Sequence, residues 1–276
     1  MTVKIVTDST ADLLPQLAHE MGTSVVPLSV IFGDEVFQEG VEISHDLFYE
    51  KLAHSREIPT TSAPSVGDFL SVYEPLLGET NEIVSIHLSG KLSATYNNAC
   101  QATAHLADRG ARIEVIDSRL ASFATGFVVL AAARAAQGGA GLEQVRAIAE
   151  RSIDRVHLLI AVDTLEYLRR GGRIGRARAF LGTVLRVTPL LTLQDGEVQP
   201  EGRVRTTARA LERLYQFCTS YPRVREMAVA YSTNPLEAEE LRSRLAAARP
   251  GVTVHATRVG PVLGSHVGPG VLGAGV

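Results

Sequence analysis

Short apolar runs alternate with longer amphipathic stretches along the first 155 residues of the chain. The runs are rich in β-branched residues, which is typical of buried strands, and the stretches between them have the spacing of helices. Such alternation predicts a parallel sheet with helices on both of its faces. The predicted strands are 3–6, 24–31, 83–88 and 113–116, with a hairpin arm at 35–39, and the predicted helices are one ending near 21 and those at 45–52, 66–77, 94–106, 122–136 and 142–154.

From residue 156 onward the pattern changes to strands and helices in mixed order. An Asp-Gly pair at 195–196 stands between two apolar runs, and this pair is the strongest short hairpin signal. We therefore expect two domains, an α/β domain of residues 1–155 and an α+β domain of residues 156–276. The predicted strands of the second domain are 157–162, 190–193, 197–204, 226–231 and 253–259, and its predicted helices are 164–170, 176–185, 206–221 and 236–248.

A hydroxyl-rich loop follows the predicted strand 83–88. Ser89 and Ser93 lie between that strand and the next helix, where backbone N–H groups point outward and the helix dipole favours an anion. Loops 7–10 and 117–122 also follow strands and carry hydroxyls, and ligands in parallel sheets bind at the strands' carboxyl ends. The simpler interpretation is that Ser93 only caps the following helix, which is a common role for serine.

Composition narrows the classes of function. The net charge of −3 argues against a general attraction to nucleic acid or to an anionic membrane surface. Cys100 and Cys218 are the only cysteines, they have no metal-binding spacing, and they fit a reducing, cytoplasmic compartment. No signal peptide precedes the first predicted strand, and no apolar run approaches the about 20 residues that span a bilayer. The sequence therefore predicts neither a metal site nor a membrane span.

Five arginines surround the Gly171-Gly172 pair. A solvated surface is the usual role of such a cluster, and docking of an acidic partner is a second interpretation. Binding to nucleic acid is a third, but stacking aromatic residues are not interleaved and no DNA-reading helix stands out. The five residues are Arg169, Arg170, Arg173, Arg176 and Arg178.

The glycine- and proline-rich segment 260–273 carries one imidazole, His266. Residues 268–273 match G-x-G-x-x-G, but the helix and the later acidic residue that a dinucleotide site requires are missing, so we reject that interpretation. His266 is either a packed histidine bonded to backbone groups or a functional imidazole in a loop of fixed shape. With Ser93 it also defines an alternative function, a serine hydrolase acting on acyl esters, although Ser93 does not lie in G-x-S-x-G.

Five segments together resemble the DegV family of bacterial fatty-acid-binding proteins, and they extend over nearly the whole chain. They are Val6–Leu13, Thr60–Ser65, Ser89–Tyr96, Asp163–Ile174 and Gly260–Gly270. Three positions depart from the usual family pattern, because Ala63 replaces glutamine, Ala94 replaces glycine and Thr188 replaces lysine. The last departure leaves a lysine role at that position without support.

The resemblance implies a two-domain α/β protein that buries one long-chain fatty acid, such as palmitate, between its domains. The carboxylate is then held by Thr61, Ser93 and His266, with Ser62 and Ser89 beside them in the same two loops. The family supplies no catalytic machinery or cofactor of its own. It presents the acid to a separate ATP-dependent kinase, and the acyl phosphate product feeds phospholipid synthesis. This role requires no membrane span but allows transient contact with a membrane.

Two further expectations follow from the resemblance. The kinase is expected to dock at Arg173, with Arg170 beside it. Several large apolar side chains are candidates for the wall of the acyl tunnel, although ordinary core packing is the simpler explanation for each. These candidates are Phe123, Phe127, Leu158, Ile160, Phe180 and Leu185.

Overall fold

The structure, a computed structural model, describes residues 2–55, 57–181 and 187–276. The chain forms two compact units. The first unit comprises residues 1–31, 36–42 and 61–156, and the second comprises residues 32–35, 43–60 and 157–276. The second unit thus includes residues 43–60, which a single boundary between residues 155 and 156 would place in the first.

The helices and strands have the following bounds in the described residues. Up to residue 156, the strands are β1 Lys4–Asp8, β2 Thr23–Val26, β3 Ser29–Phe32, β4 Glu35–Gln38, β5 Thr60–Ser62, β6 Glu82–His87 and β7 Arg112–Asp117, and the helices are α1 Pro15–Glu20, α2 His45–His54, α3 Val66–Leu77, α4 Thr95–Ala104, α5 Phe123–Gln137 and α6 Leu142–Ile153. From residue 157, the strands are β8 Leu158–Ala161, β9 Thr188–Gln194, β10 Glu197–Val204, β11 Glu226–Tyr231, β12 Thr253–Arg258 and β13 Leu272–Gly275, and the helices are α7 Glu166–Arg170, α8 Thr207–Ser220, α9 Pro235–Ala248 and α10 Pro261–Val267.

The first unit is built on a parallel sheet of order β2-β1-β6-β7. On one face, Ile83 of β6 packs with Phe69 of α3 and Ala99 of α4 in a buried apolar cluster. Successive strand residues point to opposite faces, so the fully buried Val84 and Ile86 point the other way, where α5 and α6 contact the sheet. The predicted N-terminal α/β domain with a parallel sheet is confirmed.

The second unit is built on a mixed sheet of order β10-β9-β8-β13-β11-β12. Only the β11–β12 pair among these neighbours is parallel in the described residues. Leu214 of α8 and Leu241 of α9 are fully buried against Leu159 of β8 and Met227 of β11. The predicted α+β character of the C-terminal half is confirmed.

Two predicted elements in the first half have different forms. The predicted strand 24–31 is broken at Pro27 into β2 and β3, because proline cannot donate a ladder hydrogen bond. β2 stays in the parallel sheet, whereas β3 pairs in a three-stranded sheet of order β4-β3-β5. Residues 59–65, whose prolines and hydroxyls predict a loop, contain β5.

Two predictions for the second half are also corrected. Residues 260–273 form α10 and β13 rather than a loop, and β13 is buried between β8 and β11, where its glycines and alanine fit the crowded sheet. The predicted helix 176–185 is a short 3₁₀ helix over Gly175–Phe180. Residues 182–186, which include the tunnel candidate Leu185, lie outside the described residues.

α5 is buried over most of its surface, as its apolar composition predicts. It has 15 residues, fewer than the about 20 that a bilayer requires. In the part of the chain that the structure describes, no helix combines the length and the apolarity needed to cross a membrane.

Candidate functional site

The strand order of the parallel sheet reverses between β1 and β6. The chain continues from β1 to β2 on one side and from β6 to β7 on the other. Ligands in open α/β sheets bind at the carboxyl ends of the strands beside such a reversal. Two segments lie there, the short 3₁₀ turn Ser9–Ala11 after β1 and residues 88–93 after β6, which we call the serine turn.

The serine turn has a defined shape that centres on Ser89. Ser89 is fully buried, and its backbone N–H donates to the carbonyl of Leu120 at 2.8 Å. Its carbonyl accepts from the N–H groups of Leu92 at 2.9 Å and Ser93 at 3.2 Å. Its hydroxyl oxygen accepts from the N–H of Lys91 at 3.2 Å. The turn is therefore closed by its own backbone and is joined to the segment after β7.

Ser93 lies just before α4 and does not cap it. The N-cap is Ala94, which makes no side-chain capping bond, so the capping interpretation of Ser93 is wrong. The Ser93 hydroxyl lies 2.9 Å from Oγ1 of Thr95 and accepts weakly from the Thr95 N–H at 3.3 Å. Ser93 is half-buried, so its hydroxyl sits at the amino end of the helix, where an anion is favoured.

Thr61 and Ser62 lie on β5, immediately before α3. Thr61 is half-buried and Ser62 is exposed. The side chain of Asn98, in the first turn of α4, donates to the carbonyl of Pro64 at 2.8 Å. The segment that carries Thr61 is thereby tied to the same helix that follows the serine turn. In the first unit, the segment that carries Thr61 and the serine turn thus both contact the amino-terminal part of α4.

His266 occupies the last turn of α10 in the second unit. Burial, with a smaller contribution from the positive charge of Arg173, lowers the pKa of His266 to about 4. The imidazole is therefore neutral at physiological pH. A neutral imidazole offers one N–H donor and one acceptor nitrogen, so it can hydrogen-bond a carboxylate without forming an ion pair.

Two glycines allow the segments 163–174 and 260–270 to pack closely against each other. Gly171 lies directly against the imidazole of His266. Gly270, with φ of +76°, lies against the carboxyl group of Asp163, and a β-carbon there would be 2.0 Å from Oδ2. Because each approach leaves no room for a side chain, the two segments interlock within the second unit, and His266 is held by that packing.

The arginine cluster is partly neutralised by Glu166. That carboxylate accepts from Arg169 at 2.7 Å and 2.9 Å and from Nε of Arg170, and these bonds lower the pKa of Glu166 to about 2. Arg173 is exposed, and its Nη1 donates to the carbonyl of Gly171 at 2.6 Å. The structure therefore brings Arg173 and His266 to the same glycine, with Arg170 one position before it.

A buried polar network under the serine turn was missed by sequence reasoning. The Asp8 carboxylate lies 3.0 Å from Nδ1 of His87, Nε2 of His87 lies 2.7 Å from Oγ of Ser85, and the Tyr73 hydroxyl donates to Ser85 at 2.8 Å. All four residues are fully buried, and burial raises the pKa of Tyr73, which keeps it a donor. The sequence does carry one indication of this network, because Ser85 and His87 are two residues apart, and so on the same face, in a strand that is otherwise largely apolar.

This network bears on the hydrolase alternative. Within the first unit, serine, histidine and aspartate come together at Ser85, His87 and Asp8, where none of the three side chains is accessible. The Ser93 hydroxyl bonds instead to Thr95. The geometry of this unit does not favour the alternative, because its nucleophile Ser93 bonds to Thr95 and the histidine and aspartate that meet in this unit are fully buried beside Ser85.

The predicted ligand donors of the first unit, Thr61, Ser62, Ser89 and Ser93, are uncharged hydroxyls. Over the described ranges, no group of three or more histidine, cysteine, aspartate or glutamate side chains could hold a metal ion. Hydroxyls of this kind can bind a carboxylate by hydrogen bonds without forming an ion pair.

Of the described tunnel candidates, Phe123 and Leu158 are buried, whereas Phe127, Ile160 and Phe180 are half-buried. Phe123 is buried and meets Phe127 edge-on with ring centroids 5.9 Å apart. Leu158 is buried and Ile160 is half-buried on β8. Phe180 is half-buried with the Arg203 guanidinium 3.9 Å above its ring. Their role as a tunnel wall stays a prediction.

Comparison with known proteins gives consistent matches over the whole chain. A sequence model of the family described as "Uncharacterised protein, DegV family" matches residues 2–276. A structure from Thermus thermophilus, described as fatty acid binding of a DegV family protein, is 36% identical, with a TM-score of 0.92 over 100% of this chain and 99% of that one.

Two further solved structures are similar. DegV from Bacillus subtilis, described as a fatty acid binding protein, is 31% identical, with a TM-score of 0.91 over 100% of this chain and 98% of that one. A stearic acid-binding protein from Eubacterium ventriosum is 27% identical, with a TM-score of 0.89 over 99% of this chain and 97% of that one.

Proposed function

The chain belongs to the DegV family, and from that membership we propose that it binds one long-chain fatty acid, such as palmitate. The observation that carries the proposal is the full-length similarity to structures described as fatty acid binding. One relative is described as binding stearic acid, which has the chain length expected for this class of ligand. The fatty acid is the proposed ligand, and we propose no cofactor.

In this proposal the carboxylate is held by uncharged groups. Thr61 and Ser93 donate hydroxyl hydrogen bonds, with Ser62 and Ser89 in the same segments, and the neutral imidazole of His266 adds a further donor. Burying a carboxylate is costly unless it is hydrogen-bonded, and these donors offset that cost. The amino end of α4 favours the negative charge of a carboxylate bound beside Ser93.

The acyl chain supplies most of the binding free energy. A palmitate-sized chain contains roughly 14 methylene groups, and each contributes about 0.8 kcal/mol when it leaves water. The gross gain of about 11 kcal/mol must offset an association cost of roughly 4–15 kcal/mol. Tight binding therefore requires a preformed apolar cavity rather than a shallow groove.

We also propose that the protein is a carrier and catalyses no reaction. A carboxylate held by neutral donors stays nucleophilic enough to attack the γ-phosphate of ATP on a separate kinase, which yields an acyl phosphate and ADP. A bidentate arginine would hold the carboxylate more firmly. Arg173, with Arg170, is the proposed docking site for that kinase. The acyl phosphate would enter phospholipid synthesis in the cytoplasm.

Lipid extraction from the purified protein, followed by mass spectrometry, tests the proposed function. We expect one intact long-chain fatty acid per chain, and we expect lipid-free protein to rebind palmitate. Absence of both bound acid and rebinding would contradict the proposal. Stoichiometric labelling of Ser93 by a fluorophosphonate would instead support a hydrolase, because that reagent reports an activated serine.

A further inference from the structure

The carboxylate of Asp8 joins two segments at the reversal point of the parallel sheet. Asp8 ends β1 and is fully buried. Its Oδ1 accepts from both the N–H and the hydroxyl of Thr10, in the turn after β1. Its Oδ2 accepts from the N–H of Leu88 at 3.0 Å and lies 3.0 Å from Nδ1 of His87. One carboxylate thus receives donors from the ends of both central strands.

Asp117 makes the matching contact from the other side of β6. It ends β7, and its Oδ1 accepts from the N–H of Gly90 at 3.1 Å and of Arg119 at 2.8 Å. Leu88 and Gly90 are the residues on either side of Ser89. Since β1 and β7 flank β6, two aspartates from neighbouring strands hold the backbone on both sides of the buried serine.

The position of Ser93 depends on these anchors. The Ser93 N–H donates to the carbonyl of Ser89, and the Ser93 hydroxyl bonds to Thr95 two residues later. These bonds fix Ser93 to the serine turn and to α4. The bonds that join the turn to the ends of the neighbouring strands include those of Asp8 and Asp117 and the bond from the Ser89 N–H to the Leu120 carbonyl.

We propose that Asp8 and Asp117 are positioning residues for the fatty-acid carboxylate, because they hold the serine turn so that Ser93 can donate to the ligand. This inference rests on the proposed function. Neither aspartate is proposed to touch the ligand, since an additional carboxylate at that point would repel it. Their effect on affinity is therefore expected to pass through Ser93.

The polar network below Asp8 supplies a matched control. Nδ1 of His87 lies 3.0 Å from the Asp8 carboxylate, and Nε2 lies 2.7 Å from the Ser85 hydroxyl. Tyr73 lies at the far end of this network, on α3, and donates to Ser85. Tyr73→Phe removes a buried hydrogen bond from the same network but leaves both anchors of the serine turn intact.

The experiment measures palmitate binding to lipid-free, full-length protein by calorimetry. Asp8→Asn and Asp117→Asn keep side-chain size but replace an accepting oxygen by a donating NH₂ group. We expect each to weaken binding by at least about tenfold, which corresponds to 1.4 kcal/mol. Tyr73→Phe should lower the melting temperature but change affinity by less than about twofold.

A double-mutant cycle separates positioning from general destabilisation. If the aspartates act through Ser93, adding Asp117→Asn to Ser93→Ala should weaken binding by less than about twofold beyond Ser93→Ala alone. Additive losses, unchanged binding or tighter binding in the aspartate variants would overturn the inference.

Separate controls distinguish a loss of folding from a loss of palmitate binding. Circular dichroism establishes which variants are folded, and Asp117→Asn carries the test should Asp8→Asn not fold, because Asp117 is only half-buried. If the wild-type protein itself binds no palmitate, the proposed function fails. If the wild type binds and both folded aspartate variants bind equally well, only the positioning inference fails.

Discussion

A β-carbon on Gly171 would lie 2.3 Å from Nδ1 of His266, far inside van der Waals contact. The glycine ends α7 and the histidine lies in α10, so the imidazole rests on the backbone at the end of a neighbouring helix. The position of His266 therefore depends on a residue 95 positions earlier in the chain, which has no side chain.

Gly171→Ala is expected to displace the imidazole. The new methyl group would overpack the site, which typically costs about 1–3 kcal/mol of stability. We expect a lower melting temperature, an altered His266 signal in NMR spectra and weaker palmitate binding. Gly202→Ala is the matched control, because its β-carbon would meet Leu190 at an ordinary 3.8 Å. Equal effects of the two variants on palmitate binding would contradict this account of His266.

The low pKa of His266 predicts a specific dependence of stability on pH. The folded pKa is about 4, whereas an unfolded histidine titrates near 6.5. As the pH falls from about 6.5 to about 4, the unfolded chain takes up a proton that the folded chain does not, so stability is lost. The expected loss is about 3 kcal/mol, complete below pH 4.

Denaturant unfolding of lipid-free protein across this range of pH checks that expectation. His266→Asn removes the titrating group, so its stability should fall less steeply than that of the wild type. Exposed His19 provides the control, because His19→Asn makes the same substitution at the surface. Parallel pH profiles for the wild type and His266→Asn would show that His266 is not buried in its neutral form.

Arg173 and Arg170 are expected to differ as docking residues. Nε of Arg170 donates to the Glu166 carboxylate, which also receives Arg169. Because the Glu166 carboxylate holds Arg170, we expect Arg170→Ala to reduce kinase-dependent acyl phosphate formation only weakly, and we expect the larger loss from Arg173→Ala at the proposed docking residue. Palmitate binding without the kinase should stay within about twofold of wild type for both variants. A larger loss for Arg170→Ala would reverse the assignment.

Local signals in the sequence were sufficient for much of the fold. The Asp195-Gly196 pair marks the β9–β10 hairpin, and both residues adopt the positive φ that this turn needs. Ser44 and Ser65 cap α2 and α3, and a serine directly before a helical pattern is a local signal of this kind. In contrast, β13 has a glycine-rich sequence with low strand propensity, and it forms because β8 and β11 pair with it on both sides.

The candidate site could be predicted only in part. Ser89 and Ser93 were found because a hydroxyl-rich loop between a strand and a helix is a local pattern. The contact between Asp8 and Leu88 joins residues 80 positions apart, and no local sequence pattern predicts it. The predicted Ser93 cap was wrong by one residue, since Ala94 is the N-cap and α4 begins at Thr95.

The central claim is that uncharged hydroxyls hold the carboxylate of a long-chain fatty acid, and palmitate titration of lipid-free wild-type and Ser93→Ala protein tests it most directly. The account predicts that Ser93→Ala binds at least about tenfold more weakly, which is about 1.4 kcal/mol, while Ser71→Ala on the exposed face of α3 binds like the wild type. Equal palmitate affinity for the wild type and a folded Ser93→Ala variant would contradict it.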